Sequence, residues 1–164
     1  MQNILDNISI QQKINRLAHE LIEDCHTEER VYIGGIIGNG ALLAEKIKNA
    51  MGEVHKMKVH SFVIDLNKDE PWKDPIQLSL PENELKNAYI VLVDDVVNSG
   101  KTMQFALTKL LTFPTHAIKT VTLVDRTHRR FPIKADFVGL SLSTTLKERV
   151  EVDLSEGNMK AYLV

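Results

Sequence analysis

The 164-residue sequence predicts an α/β domain, a mostly parallel, twisted sheet with helices on both faces and a C-terminal hairpin. Three observations predict it. Apolar runs of strand length alternate with segments of helical composition, the order that builds parallel sheets. One run, "NAYIVLVDDVV" at residues 87–97, is apolar almost without a break until its two acids, as a strand buried on both faces requires. A glycine-bearing turn then joins that run to the next helix, at the edge where open sheets bind ligands.

The elements follow in order. Ser9, with Gln12 three residues later, reads as a capping box, and Ile10, Ile14, Leu17, Leu21 and Ile22 continue at helical spacing to about His26. "RVYIGGIIGNG" (30–40) is a strand that closes in glycines, and "ALLAEKIKNAM" (41–51) has helical composition. "MKVHSFVIDL" (57–66) is a second strand, "PIQLSL" (75–80) a short one, and 87–97 the long central one. "TMQFALTKLLTF" (102–113) is a helix stopped by Pro114. "AIKTVTLVD" (117–125) is another buried strand, and "RVEVDLSEGNMKAYLV" (149–164) a hairpin turning near Gly157 and Asn158. The charges and prolines of "NKDEPWKDP" (67–75) make it an exposed loop. Its Trp72, the only tryptophan, reads as an anchor folded onto the body, because an exposed indole leaves much apolar area in water.

Composition narrows the functional classes. Twenty basic residues against 22 acidic ones leave a formal charge of −2, which gives no electrostatic footprint for nucleic acid or an anionic membrane. There is no apolar run of about 18 residues, and "MQNILDNISIQQ" lacks the form of a secretion signal. A single cysteine, Cys25, excludes a disulfide framework and reads as a small buried apolar residue. The expectation is one cytoplasmic domain spanning residues 1–164, long enough to bury a core without disulfides or metals.

The chemistry concentrates in "IVLVDDVVNSGKT" (90–102). Its last three letters match the nucleotide-binding loop G-x-x-x-x-G-K-[ST], but Asp95 stands where the first glycine belongs, and a carboxylate there repels polyphosphate. Backbone N–H groups of Asn98, Ser99, Gly100 and Lys101, with the hydroxyls of Ser99 and Thr102, can instead surround one phosphate at a helix N-terminus. Asp94 and Asp95 are acceptors suited to the neighbouring hydroxyls of a ribose. An ordinary strand-to-helix turn would explain each residue singly, but two acids beside a phosphate-type turn point to a ribose 5-phosphate. A dinucleotide reading of the glycines at 38 and 40 fails, because G-x-G-x-x-G would need glycine at Leu43.

Hydrophobics, two acids, two hydrophobics and a small polar turn with Gly and Thr resemble the phosphoribosyl-pyrophosphate (PRPP) motif of type I phosphoribosyltransferases. Within them, "ILDNISIQQKINRLAHELIE" and "LVDRTHRRFPIKADFVGLSLSTTLKERVEV" (123–152) are similar to the PyrR-type family of pyrimidine-operon regulators and uracil phosphoribosyltransferases. The resemblance implies the type I fold and transfer of ribose 5-phosphate from PRPP to a nucleobase, with uracil the best match. It gives Asp94 and Asp95 the catalytic role and assigns Val97, Asn98, Ser99, Gly100, Lys101 and Thr102 to the 5-phosphate. Ile37, Gly38, Asn39 and Gly40 fall in the pyrophosphate loop, and Asp125, Arg126, His128 and Arg129 on the base side. It further implies Mg²⁺ bound with PRPP rather than by a dedicated set of side-chain ligands, and assembly as dimers or higher oligomers. A sensor of PRPP or a nucleoside monophosphate is the alternative, with RNA as its less favoured partner. Two departures stand out. Ile37 and Asn39 occupy places where the family carries Lys and Arg, and the 67–75 loop is shorter than the family's mobile flap, leaving Lys68 and Lys73 as its cations.

Overall fold

The computed structural model describes all 164 residues. In chain order the elements are β1 (Gln2–Leu5), α1 (Asn7–Cys25), β2 (Val31–Ile36), α2 (Asn39–Val54), β3 (Val59–Asp65), β4 (Gln77–Leu78), β5 (Tyr89–Val97), α3 (Lys101–Leu110), β6 (Ala117–Asp125), β7 (Phe137–Ser141), β8 (Val150–Asp153) and β9 (Lys160–Leu163). A short 3₁₀ turn at Glu82–Glu84 precedes β5.

Six strands form the main sheet in the order β4-β3-β2-β5-β6-β7, parallel throughout except for the antiparallel β3–β4 pair. From β2 the chain steps outward to β3, then returns to place β5 on the other side of β2. That reversal opens a crevice beyond the carboxyl ends of β2 and β5, where Gly35 pairs with Val93. The site segments at 37–40 and 94–102 both leave the sheet there.

The apolar alternation of β5 serves two cores. Tyr89, Val91 and Val93 face one built with Ile10, Ile14, Leu17 and Leu21 of α1 and Leu43 and Ile47 of α2. Ile90 and Leu92 face the other, with Met103, Ala106 and Leu110 of α3 and Phe62 and Ile64 of β3. Helices therefore cover both faces, as the run of apolar residues requires. Cys25 is fully buried in the first core, where desolvation pushes its thiol up to about 11 and keeps it from being a nucleophile. No helix is long and apolar enough to cross a membrane.

Three features differ from expectation. Helix α1 begins earlier than the Ser9–Gln12 box: Asp6 is the cap, its Oδ1 accepting the Ser9 N–H at 2.8 Å. The C-terminal hairpin turns at Gly157, whose φ of +77° suits glycine, but it is not isolated. β1 pairs with β9, making a second sheet β1-β9-β8 whose Leu5 and Ala161 enter the first core. Strand β7, unmarked in the sequence, extends the main sheet beside β6.

Candidate active site

β5 carries its two acids to the crevice, and the chain then turns through residues 98–100 into α3. Gly100 has φ +88°, and a Cβ there would lie 2.7 Å from Ile133 Cγ2, so both the backbone and the packing call for glycine. The N–H groups of Asn98, Ser99 and Gly100 donate to no other group of the chain, and the Lys101 N–H reaches only Ser99 Oγ at 3.3 Å. These donors sit at the N-terminus of α3, the positive end of its dipole. They line a cavity of about 190 Å³ bounded by Asp94 and the 96–103 segment. The sequence-predicted phosphate turn is thus brought together intact.

A second cavity, of about 410 Å³, adjoins it and shares Asp94, Asn98 and Thr102; Asp95, Asn39 and Lys68 also line it. Asp94 is only 5% exposed, and its Oδ1 accepts the Asp95 N–H at 2.9 Å. Burial, then the charge of Asp95, pushes the Asp94 carboxyl well above the usual carboxylate range, with Lys68 acting in the opposite direction. Asp95 is held differently. Its Oδ1 accepts the Val96 N–H (2.9 Å) and its Oδ2 the Asn39 amide (3.1 Å). The pair therefore contains one buried, under-compensated carboxyl and one fixed carboxylate.

The 37–40 segment lies beside them. Gly40, in the first turn of α2, packs so tightly that a Cβ would stand 2.9 Å from Val93 O and 3.2 Å from Asp94 Oδ1. This close approach brings the α2 N-terminus to the acid. Gly38, with φ +91° and open space around it, makes the entry turn. Ile37 donates its N–H to Ile64 O (2.9 Å) and leaves its side chain 40% exposed. Asn39 Nδ2 donates to Val152 O of β8 (2.8 Å) as well as to Asp95. Both amide hydrogens are engaged within the chain, so in this arrangement Asn39 binds the acid pair to the hairpin and has no side-chain N–H left for a ligand.

The group that the resemblance places on the base side forms a clamp. Arg129 donates to Asp125 Oδ2 (2.7 Å), Asn98 O (3.0 Å) and Ile133 O (2.7 Å), while Ser99 O accepts the N–H groups of Arg130 and Phe131. Arg126, 7% exposed, reaches Asn98 Oδ1 (2.9 Å), Thr144 Oγ1 (3.0 Å), Thr145 O (3.1 Å) and Glu148 O. His128 Nε2 lies 2.6 Å from Thr144 O, which makes that nitrogen the protonated one. These arginines are engaged within the chain; they lock the turn to the 125–133 and 144–148 segments. Thr127 between them holds φ +62°, an outlier for a β-branched residue.

The 67–75 loop also joins the site. Lys101 Nζ donates to Asp69 O (3.0 Å) and lies 5.8 Å from the Trp72 ring centroid, and Trp72 meets Phe105 of α3 at 6.2 Å. Trp72 remains 64% exposed, so it rests against Phe105 of α3 rather than folding into the body as an anchor.

A mostly parallel α/β sheet that presents two acids, a turn of unpaired N–H groups and a glycine loop at its switch point fits the phosphoribosyltransferase class. The family profile described as "Phosphoribosyl transferase domain" matches residues 1–154, and the chain belongs to that family. Among curated relatives, the bifunctional protein PyrR of Fusobacterium nucleatum is 33% identical over 171 residues, spanning 100% of this chain and 97% of the relative. The bifunctional protein PyrR of Streptomyces coelicolor is 34% identical over 160 residues, 93% of this chain and 83% of its own. In structure, the hypoxanthine phosphoribosyltransferase of Trypanosoma cruzi superposes with a TM-score of 0.76 at 16% identity, covering 99% of this chain and 95% of its own. A hypoxanthine-guanine phosphoribosyltransferase of Bacillus anthracis gives 0.76 at 19%, covering 100% and 98%. At those identities the structural likeness speaks for the fold.

Proposed function

We propose that the protein transfers ribose 5-phosphate from PRPP to a nucleobase, with uracil as the base suggested by the PyrR relatives. The observation that carries this reading is the turn at 98–102, whose unengaged N–H groups converge beside Asp94 and Asp95. In the reaction a ring nitrogen of the base bonds to the anomeric carbon while the bond from that carbon to pyrophosphate breaks, its electron pair leaving with the pyrophosphate. The nitrogen then gives up its proton. Positive charge develops on the ribose ring, as in glycoside hydrolysis.

In this reading the turn fixes the 5-phosphate, and Asp95, held by Asn39 and Val96, accepts from a ribose hydroxyl. Asp94 ionises as cationic charge arrives, because that charge offsets the burial and the Asp95 repulsion that keep its proton on. Mg²⁺ would come with the substrate phosphates, and Asp94 and Asp95, which line the cavity, are the hard oxygen groups that would face it there. No three His, Cys, Asp or Glu side chains cluster as a metal site of their own. The ion, carried by the diphosphate beside Asp94 and Asp95, would neutralise the departing oxygens.

The test is direct. Incubation with PRPP, Mg²⁺ and a panel of nucleobases should release pyrophosphate and a nucleoside monophosphate, fastest with uracil. Binding of PRPP and a monophosphate without turnover of any base would favour a nucleotide sensor, a reading supported by the uncharged Ile37 and the engaged Asn39.

A further inference from the structure

A carboxylate turns about its terminal bond at little cost, because that torsion is broad and roughly two-fold. Asp95 has one local restraint, the Val96 N–H on its Oδ1 (2.9 Å), which holds one oxygen and leaves the plane of the group open. The other oxygen, Oδ2, is held from across the crevice by Asn39 Nδ2 at 3.1 Å. That nitrogen is fixed in turn by Val152 O of β8 at 2.8 Å. A single nitrogen facing two acceptors has to carry two hydrogens, so the bridge needs an amide: a hydroxyl in its place would serve one acceptor only, and a carboxylate neither.

The bridge is not what holds the hairpin down. Leu154, Met159 and Ala161 pack in the first core, the Met159 N–H donates to Asn7 Oδ1 at 2.9 Å, and β1 closes the terminal sheet against β9. Asn39, Asp95 and Val152 meet instead on the wall of the cavity of about 410 Å³, which Val150 and Glu151 of β8 extend.

We propose that Asn39 is a positioning residue for the sugar: it aims the Asp95 carboxylate at a ribose hydroxyl and, through Val152, makes the edge of the terminal sheet the wall against which the ribose is held. The proposal rests on the phosphoribosyltransferase reading above and adds to it a role for a side chain that touches no phosphate. Asn39 then acts on the sugar alone. The phosphate turn is clamped separately by Arg126 and Arg129, so its affinity does not depend on the bridge.

The experiment compares the unmodified protein with Asn39→Ala, the near-isosteric Asn39→Leu, Asp95→Ala and the double variant Asn39→Ala/Asp95→Ala. Calorimetry measures inorganic phosphate and ribose 5-phosphate, and the ratio of the two affinities reports what the sugar contributes. Asn39→Ala should narrow that ratio about tenfold, the worth of one hydrogen bond to a charged group, with inorganic phosphate affinity unchanged. Asn39→Leu should narrow it as much, because the N–H groups are lost and the volume is kept. In the Asp95→Ala background, Asn39→Ala should cost no further ribose 5-phosphate affinity, as a residue acting only through Asp95 requires. An unchanged ratio in Asn39→Ala would overturn the proposal. So would equal losses for both ligands, or additive losses in the double variant, either of which makes Asn39 a general support of the fold. Failure of the unmodified protein to bind ribose 5-phosphate more tightly than inorganic phosphate would instead sink the phosphoribosyltransferase reading itself.

Discussion

The turn at 98–102 and the loop at 37–40 flank the same pair of aspartates, both open a helix and both contain a glycine at positive φ, yet they are built to opposite ends. In the first, the N–H groups of Asn98, Ser99 and Gly100 are left without partners while the chain around them is clamped by Arg126 and Arg129. In the second, the Asn39 amide and the Ile37 N–H are engaged inside the fold. A ligand site is recognised by polar groups held rigidly and left unpaired. By that criterion the first loop is the one we propose to bind phosphate, and the second is held by the fold.

The comparison can be broken at its glycines. Gly100→Ala places a methyl group into Ile133 at a backbone conformation that L residues avoid. It should weaken nucleoside monophosphate binding about a hundredfold, the equivalent of two charge-assisted hydrogen bonds at roughly 1.5 kcal/mol each. Gly38→Ala has open space around it. Its cost is the left-handed backbone alone, about 1–2 kcal/mol of stability, with monophosphate affinity nearly unchanged. Calorimetry and thermal unfolding on both variants check the contrast, and equal losses of affinity would erase it.

The acids supply the next effects. Asp94→Asn should lower turnover about a hundredfold while stabilising the free protein by about 1–2 kcal/mol, because it removes a buried carboxyl beside another. Denaturant titration of ligand-free protein reads the gain directly; a destabilised variant would show that Asp94 is needed for the fold. The same asymmetry sets a pH dependence. Between the unfolded carboxylate value of about 3.9 and the raised value in the fold, the fold retains a proton that the unfolded chain has released. Stability of the free protein therefore falls as pH rises through that window. Asp94→Asn should flatten that fall. A smaller effect is expected of Asn39→Ala, which deletes the bonds to Asp95 and Val152 and should cost about 1–2 kcal/mol. Faster amide exchange across β8 would accompany it.

How much of this was legible in the sequence depended on whether the signal was local. The phosphate turn and its acids are contiguous, and the apolar character of residues 89–93 gave their strand directly. Strand β1 was not visible, because four residues pair with a partner at the opposite end of the chain and carry no period of their own. The α1 cap was misplaced since Asp6 and Ser9 are both good caps, and only the bond from Ser9 N to Asp6 decides between them. The clamp of Arg126 and Arg129 was equally hidden. Its acceptors are mostly backbone carbonyls, and a sequence does not show where those point. Asn39 looked like a charge lost; its bonds to Asp95 and to β8, 113 residues away, are what replaced it.

The claim underlying all of this is that the phosphate end of the site is ready-made and the pyrophosphate end is depleted. Parallel calorimetric titrations with ribose 5-phosphate and with Mg²⁺-pyrophosphate test it without reference to the base. The account predicts that ribose 5-phosphate binds at least tenfold more tightly, about 1.4 kcal/mol, and that Gly100→Ala abolishes most of that difference. Pyrophosphate binding as tight as ribose 5-phosphate, with both untouched by Gly100→Ala, would contradict it.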